Sequence, residues 1–190
     1  MFMEEVIIEL GVGNNKRHKD SIGIDLLEAD GVDIVGRAED ILKTFEDDSI
    51  DAVYCYHFLE HVDDVEYLIG LIQQKLKWGG IFNIVVPHWS NPYFFSDPTH
   101  KTFFGYYTMS YYARDEKSYR NVPSYIRFDS LLLEDVRLVF KVDKSHVLFY
   151  PFYLLMGVLV NLTTRGKEIF EFHFAKVIPV YEIQYRLKKE

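Results

Sequence analysis

The residues best suited to chemistry near the start of the chain are two glycines and two carboxylates at the ends of strand-like runs. The apolar run Val6-Ile7-Ile8 leads into Glu9-Leu10-Gly11-Val12-Gly13, and the run Ile22-Gly23-Ile24 ends on Asp25. Glycines let a ligand approach the backbone closely at the carboxyl edge of a parallel sheet. A carboxylate at the end of the next strand can accept hydrogen bonds from two ribose hydroxyls. The pattern predicts a site for an adenosine-containing ligand.

The same turn departs from the fingerprint of dinucleotide-binding proteins. That fingerprint needs a third small residue three positions after the second glycine, where this chain has Lys16. About eight residues separate Gly13 from the second strand, whereas a parallel crossover needs about a dozen or more. We therefore expect the first helix to be shortened or replaced by a loop, and Lys16 argues against NAD or FAD.

Val32–Val35 is a third strand-like run, and Ile50–Tyr56 and Ile81–Val86 are a fourth and a fifth. A second group of candidate residues follows the fourth and fifth runs, where carboxylates and imidazoles can serve as general bases. Its members are His57, Glu60, His61, His88, Asp97 and His100. Structural roles compete with this one, because Glu60 and His61 can cap or orient the following helix and Asp97-Pro98 can begin a turn. His88, Asp97 and His100 have the chemistry of zinc or iron ligands. Without helical spacing or nearby cysteines, however, we predict no metal site.

These residues need a sheet that brings strand ends together. Ile50–Tyr56 predicts a fourth strand, apolar residues at helical spacing predict a helix from Asp63 to Trp78 that stops at Gly79-Gly80, and Ile81–Val86 predicts a fifth strand. A strand, a helix and a strand in this order form a parallel crossover unit. The predicted fold class is α/β, a doubly wound and mostly parallel sheet of about seven strands with helices on both faces.

The carboxyl half is more aromatic and less regular. Aromatic residues crowd the segment 87–130, which we interpret as a lid or the wall of a ligand pocket. Strands are predicted at Asp135–Val142 and Val180–Leu187, and helices near Phe152–Leu162 and Lys167–Lys176. We expect the first of these helices to cover the sheet. The alternative, which we favour less, is that it lies on a membrane as a peripheral contact.

Length and composition limit the classes of protein to which this chain can belong. At 190 residues the chain fits one domain, 1–190, and its formal net charge of −8 argues against a nucleic-acid partner. The single cysteine, Cys55, excludes an intramolecular disulfide and fits a reducing, cytoplasmic location. Glu4 and Glu5 stand where a secretory signal carries basic residues, and the apolar stretch Phe149–Leu162 is shorter than the ~20 residues of a membrane span.

The motifs together carry a family resemblance. They occur in the order Glu9-Leu10-Gly11-Val12-Gly13-Asn14-Asn15-Lys16, Gly23-Ile24-Asp25, Asp48-Ser49-Ile50-Asp51, His57-Phe58-Leu59-Glu60-His61-Val62 and Leu76-Lys77-Trp78-Gly79-Gly80. Over roughly residues 5 to 105 the sequence resembles the class I S-adenosylmethionine-dependent methyltransferases, especially their type 11 branch. The resemblance implies a Rossmann-like fold with an antiparallel last strand at Val180–Leu187, and S-adenosylmethionine as the cofactor.

The resemblance also implies which residues bind that cofactor. Gly11 and Gly13 would border its methionine part, Glu9 would organise the loop and bind the amino group, and Asp25 would bind the ribose. The segment 38–40 lies where the family contacts adenine, and residues 56 and 57 lie at the sulfonium end. The implied cofactor-binding set is Glu9, Gly11, Gly13, Asn14, Asp25, Ala38, Glu39, Asp40, Tyr56 and His57.

The function implied is methyl transfer to a small-molecule or lipid-like acceptor that the sequence does not identify. Because an in-line displacement can depend on alignment alone, only some acceptors need a base. The candidate catalytic residues are His57, His88, Asp97 and His100. Two other classes stay open: a methyltransferase-fold binding or regulatory protein without turnover, and a nicotinamide-dependent oxidoreductase. The oligomeric state stays open as well.

Overall fold

A computed structural model describes residues 5–141 and 148–190 of the chain. The strands are β1 (Ile7–Leu10), β2 (Ile22–Asp25), β3 (Ile34–Val35), β4 (Ile50–Tyr56), β5 (Leu76–Pro87), β6 (Ala113–Arg114), β7 (Phe128–Val139) and β8 (Glu182–Lys189). The helices are α1 (Ala38–Leu42), α2 (Val65–Lys75), α3 (Tyr150–Asn161) and α4 (Thr164–His173). Short 3-10 turns occupy Leu59–His61, Phe94–Ser96 and Met109–Tyr111.

All the strands of the described chain form one sheet in the order β3-β2-β1-β4-β5-β8-β7-β6. β8 pairs antiparallel with β5 on one side and with β7 on the other, and every other neighbouring pair is parallel. The predicted α/β class and the antiparallel last strand are therefore confirmed. The sheet has eight strands rather than about seven because the two-residue β6 extends its edge beside β7.

A loop joins β1 to β2, as the short connection predicts. The buried carboxylate of Glu9 accepts hydrogen bonds from the backbone amides of Arg17, at 3.0 Å, and His18, at 2.9 Å. The His18 ring stacks on Tyr54 with 3.7 Å between ring centroids, and its Nε2 lies 2.8 Å from the Tyr56 hydroxyl. The loop thus packs on the face of β4 that carries both tyrosines, in place of a helix.

The helix after β4 is shorter than the sequence predicts. α2 ends at Lys75 rather than near Trp78, and the next residue, Leu76, already pairs with Ile50 of β4. Gly79 and Gly80 consequently belong to β5 instead of stopping the helix, and Gly79 has a φ of +84°. Backbone pairing with the neighbouring strand has overridden the local helical pattern here.

Much of the aromatic segment 87–130 packs onto the sheet. Phe104 and Tyr106 are buried in the core, whereas Phe95 and Phe103 are more than half exposed. The Tyr185 hydroxyl of β8 donates a hydrogen bond to the Gly105 carbonyl at 2.6 Å. The segment ends in β6 and in the first residues of β7. It therefore has a face anchored to the core and an exposed aromatic face.

The contact of α3 with the sheet is smaller than we expect from its apolar sequence. Val160 is the only residue buried within α3, and Asn161 exchanges two hydrogen bonds with the backbone of Leu138. The large apolar side chains of the helix that are exposed are Phe152, Leu154, Leu155, Val158 and Leu159. The prediction that this helix covers the sheet is thus correct only at its carboxyl end, where β7 presents Leu138. No helix in the described ranges has the length and apolar character to span a bilayer.

Candidate functional site

The glycine turn after β1 is held against the end of β2 by one carboxylate. The Asp25 Oδ2 accepts a hydrogen bond from the Gly13 amide at 3.0 Å, and its Oδ1 accepts one from Leu27 at 3.1 Å. Gly11 and Gly13 have φ values of +70° and +50°. Each of these angles is strained for a residue with a side chain. A methyl group on Gly13 would meet no atom within 4 Å, so this backbone faces open space.

Beside this turn lies a cavity of 280 Å³, which we call the β2 cavity. Three residues of the implied cofactor set, Asp25, Ala38 and Glu39, line it together. Its other lining residues are Ile24, Leu26, Gly36, Arg37, Phe58, His61, Val62, Asp63 and Lys101. The lining combines apolar side chains with three carboxylates and two cationic groups, and such a mixture suits a planar base attached to a hydroxyl-bearing sugar.

A second cavity, of 600 Å³, opens at the carboxyl ends of β4 and β5 and is called the β4 cavity. His57, Asp97 and His100, three of the four candidate catalytic residues, line it. The remaining lining residues are Glu60, His61, Pro87, Asn91, Tyr93, Phe94, Ser96, Pro98 and Tyr181. His61 lines both cavities, so the two spaces adjoin at that side chain.

His57 follows β4 directly and is held between two carboxylates. Its amide donates a hydrogen bond to the Val85 carbonyl at 2.8 Å, with a backbone φ of +53°. Its Nε2 lies 3.2 Å from Glu182 Oε1, and its Nδ1 lies 3.5 Å from Glu60 Oε1. The hydrogen bond to Glu182, followed by the close contact with the Glu60 carboxylate, raises the pKa of His57 to about 9. The ring is therefore an imidazolium near neutral pH and donates hydrogen bonds rather than accepting a proton.

The segment 97–101 is fixed on the 3-10 turn that follows β4. The Lys101 amide donates to the Glu60 carbonyl at 2.7 Å, and the Lys101 ammonium pairs with Asp63 at 2.6 Å. Asp97 Oδ1 accepts hydrogen bonds from the amide and the hydroxyl of Thr99, which lower the pKa of the Asp97 carboxyl. Asp97 thus starts a turn, as its structural alternative predicts, and also lines the β4 cavity.

Several predicted residues lie outside both cavities. His88 is fully buried, with its ring nitrogens 2.8 Å from Ser90 Oγ and 2.9 Å from Glu171 Oε2, so it anchors the following segment. The Tyr56 ring meets His18, as described above, and Asn14 and Asp40 are exposed. Glu9, Gly11 and Gly13 shape the turn next to the β2 cavity without lining it.

Other residues of the site are absent from the sequence predictions. Phe58 stands within 2.7 Å of the position that a Gly11 side chain would take, and it forms a wall of the β2 cavity. Glu182 reaches His57 from 125 residues away, and Tyr181 lines the β4 cavity beside it. Phe58 belongs to the motif His57-Phe58-Leu59-Glu60-His61-Val62, so the sequence contained a local signal for it. Glu182 and Tyr181 have no local signal, because only the pairing of β8 with β5 brings them to this edge.

Comparison with known proteins finds one family model that matches part of the amino-terminal half of the chain. The family model described as a methyltransferase domain matches residues 12–84, which contain Gly13, Asp25, the end of β4 and α2. This match supports the resemblance to the type 11 class I family predicted from the sequence, with S-adenosylmethionine as its cofactor. No curated protein matches the sequence.

Two solved structures extend the similarity to nearly the whole chain. A SAM-dependent methyltransferase from Archaeoglobus fulgidus is 16% identical, with a TM-score of 0.61 over 97% of this chain and 86% of that one. Geranyl diphosphate C-methyltransferase from Streptomyces coelicolor A3(2), in complex with Mg²⁺, geranyl diphosphate and S-adenosyl-L-homocysteine, is 13% identical. Its TM-score is 0.52 over 98% of this chain and 73% of that one. At these identities the two structures support the Rossmann-like fold, and what the second one binds is a property of that protein.

Proposed function

We propose that this chain, which carries a class I, type 11 methyltransferase domain with S-adenosylmethionine as its cofactor, transfers a methyl group to a small-molecule acceptor in the β4 cavity. One observation carries the proposal. Three of the residues implied for ribose and adenine, Asp25, Ala38 and Glu39, line the β2 cavity, and that cavity adjoins a larger one at His61. An adenosine in the first cavity and an acceptor in the second would meet where a sulfonium methyl group can be transferred.

In this proposal the adenosine is held by one polar and several apolar groups. Asp25 already accepts two backbone hydrogen bonds, and its carboxylate has further lone pairs for the ribose hydroxyls. Leu26, Phe58 and Val62 supply apolar walls for the adenine ring. The open space over Gly13 leaves room for the methionine part beside the bare backbone.

Catalysis in this site depends mainly on alignment of the acceptor atom with the methyl group. His57 is positively charged near neutral pH, and its ring nitrogens lie 3.2 Å from Glu182 and 3.5 Å from Glu60. In this proposal it therefore acts on an electron-rich acceptor atom through its charge, as part of the cavity wall. Asp97 and His100 form another part of the cavity wall and contact the acceptor there. His88 has no role in this proposal, because both ring nitrogens are already bonded within the protein.

Calorimetric titration with S-adenosylhomocysteine tests the cofactor half of the proposal. We expect Asp25→Ala to weaken binding by about 1–3 kcal/mol, through loss of hydrogen bonds to a charged acceptor. Asp30→Ala is the matched control, because Asp30 is an exposed carboxylate of the same loop that does not line the β2 cavity. Unchanged affinity in a folded Asp25→Ala protein contradicts the assignment, and a response to NADH instead supports the oxidoreductase alternative.

Transfer of a labelled methyl group to a panel of small molecules tests the enzymatic half. We expect His57→Gln to reduce transfer while leaving the affinity for S-adenosylhomocysteine within about twofold, because His57 lines the β4 cavity and not the β2 cavity. Cofactor binding without transfer to any acceptor supports the regulatory alternative.

For a lipid-like acceptor, we propose that α3 and α4 rest on an anionic membrane surface. Exposed apolar side chains of this helix pair include Leu155, Val158 and Phe172, and exposed basic residues of the same segment are Arg165 and Lys176. The only carboxylates between residues 148 and 181 are Glu168, which is buried, and Glu171, which is bonded to His88. An apolar face with basic flanks matches an interfacial helix on acidic lipids.

Flotation with phosphatidylglycerol liposomes at low salt tests this contact. We expect the protein to float, and Leu155→Ser with Val158→Ser to abolish flotation, because both side chains are exposed and their loss leaves the core intact. Tyr125→Ser, which removes an exposed aromatic residue outside this face, is the control. Absence of flotation, together with a dimer in size-exclusion chromatography that the double variant dissolves, assigns the face to a second copy of the chain instead.

A further inference from the structure

Glu60 is a fully buried carboxylate beside the β4 cavity. Its exposed fraction is 0%, and neither carboxylate oxygen accepts a hydrogen bond from the described residues. One of them makes an ion-pair contact of 3.5 Å with His57 Nδ1. Leaving carboxylate oxygens buried and unbonded is costly, so this group needs another cation or donor. Because Glu60 lines the β4 cavity, that partner can come from the cavity.

Two imidazoles stand beside this carboxylate. Glu60, His61 and His100 each offer a ligand atom, and the three atoms lie within 4.8 Å of one another. His100 Nδ1 lies 2.9 Å from the Phe94 carbonyl, and His61 Nδ1 lies 3.3 Å from the Thr99 carbonyl. A carbonyl accepts a hydrogen bond only from a protonated nitrogen, so these contacts leave the lone pair on Nε2 of each ring as the ligand. The Nε2 of His100 lies 3.7 Å from Asp97 Oδ2, beyond hydrogen-bond distance.

We propose that Glu60, His61 and His100 bind a divalent transition metal ion, with Zn²⁺ the best match to two imidazoles and one carboxylate. Metal–ligand bonds of about 2.0–2.1 Å place tetrahedral donor atoms about 3.4 Å apart. The three side chains therefore need to approach one another by no more than about 1.4 Å from the 4.8 Å spread of their ligand atoms. His61 and His100 are only partly buried and can make this adjustment.

This trio differs from the one that the sequence suggests. His88 is occupied by Ser90 and Glu171. Glu60 and His61 stand beside His100 in place of His88 and Asp97, because the segment 97–101 packs on the turn that follows β4. Three protein ligands leave a fourth position for a water molecule or a ligand oxygen from the β4 cavity. What the ion binds in the cavity rests on the proposed methyl transfer, but binding of the ion itself does not.

Titration of chelator-treated protein with ZnCl₂ alone tests the site. We expect one ion per chain, and at least a tenfold loss of affinity in Glu60→Gln, His61→Ala and His100→Ala. His173→Ala is the matched control, because His173 is exposed on α4 and outside the trio, and it should leave the affinity unchanged. Visible absorption with Co²⁺ in place of Zn²⁺ should show the bands of a tetrahedral ion, and these bands should be lost in His100→Ala.

Thermal unfolding of each variant distinguishes the loss of a metal-binding side chain from the loss of the folded structure. Should Glu60→Gln fail to fold, the two partly exposed histidines decide the question. Affinity unchanged in folded His61→Ala and His100→Ala, or no stoichiometric binding in the unaltered chain, overturns the metal site. A titration of the same metal-free protein with S-adenosylhomocysteine tests the proposed function separately. Of the three ligands, His61 lines the β2 cavity, whereas Glu60 and His100 do not.

Discussion

The glycine turn offers a quantitative test, because its two glycines differ in what a side chain would meet. A Cβ on Gly11 would lie 2.7 Å from Phe58 Cδ2 and 2.9 Å from Phe58 Cβ, whereas a Cβ on Gly13 would have nothing within 4 Å. Both residues have positive φ, at +70° and +50°. The variants Gly11→Ala and Gly13→Ala therefore share a backbone penalty and differ by one steric clash.

The expected destabilisation follows from these two contributions. The left-handed backbone costs a residue with a side chain about 1–2 kcal/mol, and overpacking against Phe58 adds about 1–3 kcal/mol. We expect Gly11→Ala to lower the free energy of unfolding by about 2–5 kcal/mol and Gly13→Ala by only about 1–2 kcal/mol. A difference of about 2 kcal/mol corresponds to about 4–8 °C in the melting temperature of a chain of this length.

Urea unfolding of both variants, with a double-mutant cycle, measures the clash directly. In a Phe58→Ala background the extra cost of Gly11→Ala should disappear, which gives a coupling energy of about 1–3 kcal/mol. Gly13→Ala should instead weaken S-adenosylhomocysteine binding more than it lowers stability, since its methyl group projects into open space beside the β2 cavity. Equal destabilisation by the two variants, or no coupling between Gly11 and Phe58, would refute the packing described for this turn.

Two further predictions concern buried ionic contacts. Because the pKa of His57 is raised from 6.5 to about 9, its contribution to stability is fully present below pH 6.5 and is lost as the pH rises through about 9. Melting temperatures measured between pH 6.5 and about pH 9 should show this loss of stability, and the loss should be smaller in Glu182→Gln. Glu171→Ala should cost about 2–4 kcal/mol in urea unfolding, because it leaves the donors of His88, Trp89 and the Tyr106 amide without their acceptor.

Each of these predictions has a control. An NMR titration of the His57 ring gives its pKa directly, and a value near 6.5 in the unaltered chain contradicts the first prediction. For the second, Glu116→Ala removes an exposed carboxylate that pairs only with Arg114 at 3.3 Å. A cost for Glu171→Ala no greater than that of Glu116→Ala means that Glu171 does not hold the segment after β5.

Local patterns in the sequence were sufficient for the central architecture. Apolar runs that end in Gly11 and Asp25 predicted parallel strands with a site at their carboxyl ends, and the short connection after Gly13 predicted a loop. The antiparallel last strand followed from the family resemblance, within two residues at each end. These features depend on residue periodicity and backbone freedom, which neighbouring residues determine.

Other features depend on contacts between distant parts of the chain. α2 stops at Lys75 because Leu76 finds a partner strand, and β6 exists only because it adjoins β7. α3 has an apolar sequence that suits either the core or a surface, and only its packing on β7 shows that most of it is exposed. Periodicity cannot predict these outcomes, because each depends on which strand or surface happens to be adjacent.

The sequence by itself predicted the type of fold, the resemblance to a family that uses S-adenosylmethionine, and the strand ends where chemistry would occur. The tertiary structure decided which side chains meet there: Glu182 reaches His57 across 125 residues, Glu60 joins His61 and His100, and His88 turns inward to Glu171. Strand pairing and core packing bring these groups together over distances along the chain that no local pattern records. The charge of His57 and the grouping of the possible metal ligands follow from that assembly.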